Sequence, residues 1–269
     1  MPPAGDSATV RTRHHRVTVH RKHRGKVRGM HDASLVTHVG STAHFEVSYL
    51  TKLRSKGARF AEAILENCER DYEILSEAFG GLTPKHMPFA VQVTADDSGA
   101  SHSSCMGTDI AVGANSGSKI DPMRSLMVAE ADEVFMANFG HGWNCGASTG
   151  EGLSRVLAND MYPGGETAGF IASNDWLNLK SRPNWVTRTD PSDTHYRSIG
   201  CSVLFLNWLR FQHGHSWAKI IAAGGRTLSS TYLHLTGKRA GWEDFTAFMD
   251  AHFPRGRIYH LKTDNPFPL

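Results

Sequence analysis

The sequence predicts an α+β protein in which a small N-terminal sheet is followed by a mainly helical lobe. Short segments typical of strands end near residue 113, and from residue 121 onward apolar residues recur at helical spacing. Strands first and helices afterwards favour an α+β fold over a doubly wound sheet, in which the two would alternate. No internal repeat is visible in the sequence.

The first part of the chain holds the predicted strands and one helix. The predicted strands cover residues 44–50, 87–93 and 108–113. Residues 57–79 place apolar side chains at helical spacing, and Gly80 and Gly81 end this predicted helix.

The second part is predicted to be helical. The predicted helices cover residues 122–139, 150–161, 196–213, 216–223, 227–236 and 242–252. Residues 199–213 are apolar on almost every side, which predicts the central core helix of this lobe. The segment is too short to span a bilayer.

Composition places the chain among globular proteins. Its 269 residues suffice for one large domain or two small ones, and 40% are hydrophobic. The four cysteines form no C-x-x-C pair, which argues against a thiolate zinc site and leaves room for one or two disulfides. No apolar run approaches the roughly 18 residues of a membrane span. The N-terminus lacks a hydrophobic signal core, so we expect a soluble protein of undefined compartment.

Residues 1–41 are predicted to be a basic, largely disordered extension of a domain that covers residues 42–269. Within residues 1–30, eight Lys and Arg against one acid, Asp6, give +7, and the total of +3 leaves about −4 for the remainder. The extension can be interpreted as a tether to nucleic acid or another anionic surface, as a transit peptide, or as a solvated segment. It lacks interleaved aromatic residues, which weakens the nucleic-acid interpretation.

The segment Ala129-Glu130-Ala131-Asp132-Glu133 is the most informative motif of the chain. In an H-E-x-x-H motif, two histidines on one helical face hold zinc and the glutamate between them is the general base. Here Ala129 stands at the first histidine position, Glu130 at the general-base position and Glu133 at the second histidine position. Glu151 follows after seventeen intervening residues, one fewer than usual. The pattern resembles the gluzincins, the thermolysin-like and aminopeptidase-like metallopeptidases, with the zinc site rewritten.

The resemblance covers about residues 42–255, although its specific part is only about twenty-five residues. It implies a gluzincin-like fold with Glu130 as the surviving acid/base group. It also implies that Glu133 and Glu151 are candidate metal ligands. In gluzincins a tyrosine or histidine of the helical lobe often stabilises the oxyanion, and His195 and Tyr196 are the candidates here.

The identity of any metal stays open. Three carboxylates without histidines make a poor zinc site, whereas calcium, magnesium or manganese accept all-oxygen ligand sets. His141 or His195 could supply one nitrogen from a loop. Alternatively, the carboxylates act without metal, because two close carboxylates raise the pKa of one of them and provide an acid beside a base.

Each of these residues also has a purely structural interpretation. Glu151 completes a capping box with Ser148, and Asp193 or Thr194 could cap the following helix beside His195. We expect Asp132 to be an exposed helix acid. The apolar neighbours of Glu130 predict that it is buried.

Two further groups of residues carry alternative chemistry. Gly146-Ala147-Ser148-Thr149-Gly150 fits the G-x-S-x-G elbow of serine hydrolases, and candidate Asp and His partners follow it. The candidate partners are Asp190, Asp193, His195, His234 and His252. No hydrophobic strand precedes Ser148, so a helix cap is the preferred role. Cys105 and Cys145 could be neighbours, and burial or a disulfide is expected rather than a reactive thiol.

The sequence therefore predicts a hydrolase-like protein derived from a zinc metallopeptidase, with Glu130 as acid/base and altered or absent metal binding. One alternative is a non-catalytic descendant that binds a peptide or a small molecule. A second alternative is a serine hydrolase that uses Ser148.

Overall fold

The computed structural model describes residues 35–95, 99–114, 119–164 and 171–269, which form the predicted α+β arrangement. The strands are β1 (Val36–Ser41), β2 (Phe45–Leu50), β3 (Phe89–Thr94), β4 (Ala100–His102) and β5 (Asp109–Gly113). The helices are α1 (Arg54–Leu65), α2 (Cys68–Ala78), α3 (Ile120–Phe139), α4 (Ser148–Met161), α5 (Ala172–Leu177), α6 (Tyr196–Asn207), α7 (Trp217–Ala222), α8 (Leu228–Thr236) and α9 (Gly241–His252). None of the helices in the described ranges is long and apolar enough to cross a membrane.

The five strands form one mixed sheet in the order β1-β2-β3-β5-β4. The three central strands β2, β3 and β5 are parallel, whereas β1 and β4 pair antiparallel at the two edges. Helices α1 and α3 pack against the sheet, and α3 also contacts α4. This order places β4, which ends at His102, on the edge beside α3.

A buried polar network fixes α3 relative to α2 and α4. Arg124, near the start of α3, donates to the hydroxyl of Tyr162, which follows the end of α4. The Tyr162 hydroxyl in turn donates to Asp71 of α2 over 2.5 Å. The Arg124 guanidinium also lies 3.6 Å from the Asp71 carboxylate. All three groups are buried, and the network fixes the positions of α2, α3 and α4 relative to one another.

Helix α6 is the core of the helical lobe, as its composition predicts. Every residue from Ser198 to Asn207 is buried, and α6 packs against both α4 and α5. The predicted helix 196–213 ends as α-helix at Asn207 and continues as a π-helical turn over Trp208–Gln212.

Several elements differ from the sequence predictions. The predicted helix 57–79 is two helices, because Asn67 departs from helical backbone angles and its side-chain amide donates to the Ala63 carbonyl. Strand β1 lies within the segment 1–41 that was predicted to be an extension, so this prediction was wrong for residues 36–41. The rest of that prediction, residues 1–34, lies outside the described residues. Strand β4 and helix α5 were also missed.

The sequence did not predict β1, because its residues (Val-Thr-His-Val-Gly-Ser) do not alternate between apolar and polar. It forms by pairing with β2, with an irregularity between His38 and Gly40. A Cβ atom at Gly40 would lie 2.7 Å from a methyl group of Leu65, so a larger residue there would require the Leu65 side chain to move.

Candidate functional site

Helix α3 carries three buried acids in the stretch that resembles the metallopeptidase motif. Glu130 and Glu133 are each 8% exposed, and Asp132 is completely buried. They are buried because the sheet covers one face of α3 and α4 covers another. The predicted burial of Glu130 is confirmed. The prediction that Asp132 is an exposed helix acid was wrong.

A histidine from the sheet edge completes this group. His102 Nε2 lies 2.8 Å from Glu133 Oε2 and 3.7 Å from Glu130 Oε2. The Ser154 hydroxyl of α4 lies 3.5 Å from the other oxygen of Glu133, and its shorter contact, 3.1 Å, is with the Glu151 carbonyl. The imidazole nitrogen of His102 is thus close to both carboxylates, and the nearer one is Glu133. We call His102, Glu130 and Glu133 the carboxylate–histidine cluster.

The cluster has the components for proton transfer. An imidazole within hydrogen-bond reach of a carboxylate can hold a proton that the carboxylate has released or is about to take. The Nδ1 atom of His102 is buried and has no hydrogen-bond partner among the described residues. Such buried unpaired groups are uncommon in folded proteins and call for a functional or structural reason.

A disulfide braces the cluster from one side. Cys105, in the loop after β4, is bonded to Cys145, in the loop before α4. This confirms that the two cysteines are neighbours and that a disulfide, rather than a reactive thiol, is their state. The sulfur of Cys145 and the nearest nitrogen and oxygen atoms of His102 and Glu133 all lie within 4.8 Å of one another.

The usual zinc ligand set of a gluzincin does not fit these positions. Ala129 has no donor atom, and Cys145 is not a thiolate ligand because its sulfur is disulfide-bonded. Glu151 lies 3.6 Å from the guanidinium of Arg155. The cluster itself offers one imidazole and two carboxylates. Binding of another divalent metal by Glu133 and Glu151 stays a prediction.

The start of α4 differs from the predicted capping box. The residue before the helix is Ala147, and no side chain caps the first turn. Ser148 is instead hydrogen-bonded to the loop that contains Asp190. Its amide donates to the Asp190 carbonyl, and its hydroxyl accepts from the Asp190 amide. The predicted capping by Ser148 and Glu151 was therefore wrong.

His195 and Tyr196 lie where this same loop enters α6. His195 Nδ1 is 2.5 Å from the Asp190 carboxylate, and the ring makes an edge contact with Trp185. His195 itself precedes the helix, so the predicted caps Asp193 and Thr194 were wrong. The oxyanion role of His195 and Tyr196 stays a prediction, and the His195 ring contacts Asp190 and Trp185.

Comparison with protein-family models, curated proteins and solved structures finds no match. The gluzincin resemblance thus stays a prediction that rests on the motif.

The residue of the candidate site that the sequence did not predict is His102. The sequence named only His141 and His195 as nitrogen donors, yet His141 stacks on Phe139 and His195 pairs with Asp190. The sequence around His102, Ser101-His102-Ser103, is typical of a polar loop and gave little indication of its role. The pairing of β4 with β5, which was not predicted, brings His102 to α3.

Proposed function

We propose that this chain is a hydrolase-like protein in which Glu130 is the acid/base group, assisted by His102 and Glu133. The observation that carries the proposal is the position of His102 Nε2 between two carboxylates, 2.8 Å from Glu133 and 3.7 Å from Glu130. An acid and a base held side by side at a largely buried position are what hydrolysis of an amide or ester requires.

In the proposed reaction, Glu130 removes a proton from a water molecule, and the water oxygen attacks the carbonyl carbon of the substrate. The carbon–nitrogen or carbon–oxygen bond of the tetrahedral intermediate then breaks, and the leaving group takes the proton back from Glu130. Glu133 fixes the imidazole of His102 beside this path. The site holds its groups before substrate arrives, which lowers the cost of reorganisation during the reaction.

The test is a product screen with acetylated peptides and simple esters, analysed by mass spectrometry. Wild-type protein should form hydrolysis products, and Glu130→Gln should lower turnover by about 100-fold or more, because amide nitrogen cannot act as a general base. Glu73→Gln removes an exposed acid of α2 and is the matched control, which should keep full turnover. Equal turnover of both variants would refute the role of Glu130.

A non-catalytic binding protein is the second candidate, and the low exposure of the cluster favours it. Glu130 and Glu133 are each only 8% exposed, so their carboxylates can serve to hold His102 and the sheet edge. A binding protein should retain its affinity for a peptide in Glu130→Gln and should form no products. Isothermal titration beside the product screen separates these two candidates.

A serine hydrolase is the third candidate, favoured by the pair of Asp190 and His195. The Asp190 carboxylate contacts His195 Nδ1 at 2.5 Å, and its backbone contacts Ser148, so residues of the three required types adjoin. Ser148 is fully buried, however. Labelling of native protein by a fluorophosphonate that is lost in Ser148→Ala would support this candidate, and no labelling of native protein would dispose of it.

A further inference from the structure

The disulfide and the carboxylate–histidine cluster bring side chains of zinc-binding type together. The sulfur of Cys145 and the nearest nitrogen and oxygen atoms of His102 and Glu133 all lie within 4.8 Å of one another. Cys105 is bonded to the same sulfur, and the Cα atoms of the two cysteines are 6.0 Å apart. Two sulfurs, one imidazole and one carboxylate therefore meet at one place.

This set of donor atoms suits zinc. Zinc in proteins is bound by cysteine sulfur, histidine nitrogen and carboxylate oxygen, usually four at a time in tetrahedral geometry. Bond lengths of about 2.0–2.3 Å place tetrahedral ligand atoms roughly 3.4–3.8 Å apart, so side-chain movements on the order of 1 Å would bring the atoms to zinc distances. Calcium and magnesium prefer oxygen ligands, and the sulfur and nitrogen atoms therefore favour zinc over them.

The histidine of this group is enclosed, and hydrogen bonds use only part of it. The His102 side chain is 8% exposed, and its Nε2 atom contacts Glu133 at 2.8 Å. The Nδ1 atom is buried and has no hydrogen-bond partner among the described residues. Buried polar atoms seldom lack a partner, and an ion is one of the ligands that can satisfy them.

Metal binding requires reduction, because a disulfide-bonded sulfur offers no thiolate. Cys105 is partly exposed whereas Cys145 is buried, so an incoming thiol reaches the Cys105 sulfur first. Its attack forms a mixed disulfide with Cys105 and releases Cys145 as a thiolate near His102. The second thiol of a dithiol reductant then frees Cys105. The protein gains two electrons and two protons, the reductant leaves as its own disulfide, and zinc displaces the thiol protons to solvent.

Other contacts hold the two cysteine loops where they are. In the loop after β4, the Ser103 hydroxyl donates to the Asp109 carboxylate over 2.5 Å. In the loop before α4, the Trp143 indole donates to the Ile221 carbonyl over 3.0 Å. Neither contact involves the disulfide, so we expect the two sulfurs to stay within reach of one metal ion after reduction.

We propose that reduction of the Cys105–Cys145 disulfide creates a zinc site formed by both cysteines, His102 and Glu133. This site goes beyond the proposed hydrolysis, because the disulfide takes no part in that reaction and zinc binding needs no substrate. His102 and Glu133 belong both to the carboxylate–histidine cluster and to the zinc site. The thiol state of the two cysteines thus decides whether the cluster is free or holds zinc.

The test compares zinc binding by the oxidised and the reduced full chain. Protein is reduced with dithiothreitol, freed of the reductant by gel filtration under nitrogen, and equilibrated with zinc beside untreated protein. The chain holds 16 histidines, and zinc bound by the others is present in both samples, so the difference measures the site. We expect one additional equivalent of zinc in the reduced protein by elemental mass spectrometry. Cobalt in place of zinc should give thiolate-to-cobalt charge-transfer absorption in the reduced protein.

Substitutions in the reduced protein identify the ligands. Cys145→Ser should lose the additional equivalent, and reduced wild type, which also lacks the disulfide, is its reference for folding by circular dichroism. His102→Asn keeps both cysteines and should weaken zinc binding by at least about tenfold, since even the outer partners of metal ligands contribute that much. Cys201→Ala removes a buried thiol outside the site, and His260→Asn removes an exposed histidine. Both are controls that should bind zinc like wild type.

Three results would overturn the inference. Equal zinc in oxidised and reduced protein would show that reduction creates no site. Full affinity in His102→Asn would show that the cysteines bind zinc without the cluster. An equal loss in Cys201→Ala and Cys145→Ser would show that zinc binds to thiols in general. Every readout is metal binding, so a failed product screen rejects the hydrolase and leaves the zinc site standing.

Discussion

At the scale of single residues, the three acids of α3 show how neighbouring positions acquire different chemistry. Glu133 is hydrogen-bonded to His102, and Glu130 lies 3.7 Å from the same ring nitrogen. Asp132 points into the core, and neither of its carboxylate oxygens has a partner among the described residues. Burial raises the pKa of Asp132 well above its usual range. Of the three acids, Glu130 and Glu133 are the two that lie near the imidazole of His102.

Asp132 should make the protein less stable as the pH rises. Its carboxyl keeps its proton to a higher pH in the folded state than in the unfolded chain, which ionises it above about pH 4. Folding stability therefore falls from about pH 4 up to the folded-state pKa, by as much as about 1.4 kcal/mol per pH unit. Asp132→Asn cannot ionise, so its stability should fall less between pH 5 and pH 7. Urea unfolding of both proteins at the two pH values measures this, and parallel curves would contradict a protonated Asp132.

Residue types at the cluster could be predicted only in part. Glu130 and Glu133 stand out because the motif puts them on one turn of a helix with an apolar surrounding. His102 could not be assigned, because its partner is 31 positions away and depends on the pairing of an edge strand of three residues. Asp132 was misplaced because an acid without a partner is rarely buried.

At the scale of elements, α4 connects most parts of the site. Ser148 at its start is hydrogen-bonded to Asp190, the Ser154 hydroxyl in its middle lies 3.5 Å from Glu133, and Gly152 packs against Ser202 of α6. Gly152 permits this close approach because a Cβ atom would lie 2.6 Å from the Ser202 Cβ. The period of apolar residues predicted the helix itself. Its contacts with the loops were not predictable, since loop positions follow from the whole fold.

The disulfide should stabilise the fold and the position of β4. It joins cysteines 40 positions apart, and closing a loop of that length in the unfolded chain is worth about 2–4 kcal/mol. Replacing both Cys105 and Cys145 by Ser should lower the free energy of unfolding by that amount, measured by urea denaturation.

Reduction of the wild-type protein with dithiothreitol is the matching control and should reproduce the loss. Alkylation of denatured, unreduced protein should modify two cysteines, the buried Cys68 and Cys201, and reduction should raise the number to four. Four modified cysteines without reduction would show that the disulfide is absent.

At the scale of the whole molecule, the C-terminal segment closes the helical lobe. Asp264 is fully buried, and its carboxylate accepts a hydrogen bond from the Ser173 amide at 2.8 Å. Its backbone carbonyl accepts from the side chains of Ser173 and Asn207. The side-chain amide of Asn178 donates to the Tyr259 carbonyl and accepts from the Tyr259 amide. Polar contacts with α5 and α6 thus hold the segment in place. Its position was not predicted, because its sequence has no periodic pattern of apolar residues.

Removing the Asp264 side chain should destabilise the whole lobe. Asp264→Ala leaves the buried Ser173 amide without its acceptor, which costs about 1–3 kcal/mol. Lys262→Ala removes an exposed side chain two positions away and should leave stability unchanged. Thermal or urea unfolding of the two variants measures the difference. A loss in neither variant would show that the hydrogen bond from the Ser173 amide to Asp264 does not stabilise the lobe.

The global order of strands and helices was predictable because it follows from local apolar periodicity. The strand order β1-β2-β3-β5-β4 and the seating of the C-terminal segment were not, because both depend on contacts between distant parts of the chain. The candidate site depends on both local periodicity and distant contacts. Its glutamates lie on α3, which was predictable, and its histidine lies on the edge strand β4, which was not.

The central claim is that His102 and Glu130 act together, and a double-substitution cycle on hydrolysis tests it most directly. Turnover of the best substrate from the product screen is compared for wild type, His102→Asn, Glu130→Gln and the double variant. Groups that act as one unit are strongly non-additive, so the double variant should be scarcely slower than Glu130→Gln alone. Losses that multiply, or full turnover in His102→Asn, would show that the carboxylate–histidine cluster is not the catalytic unit.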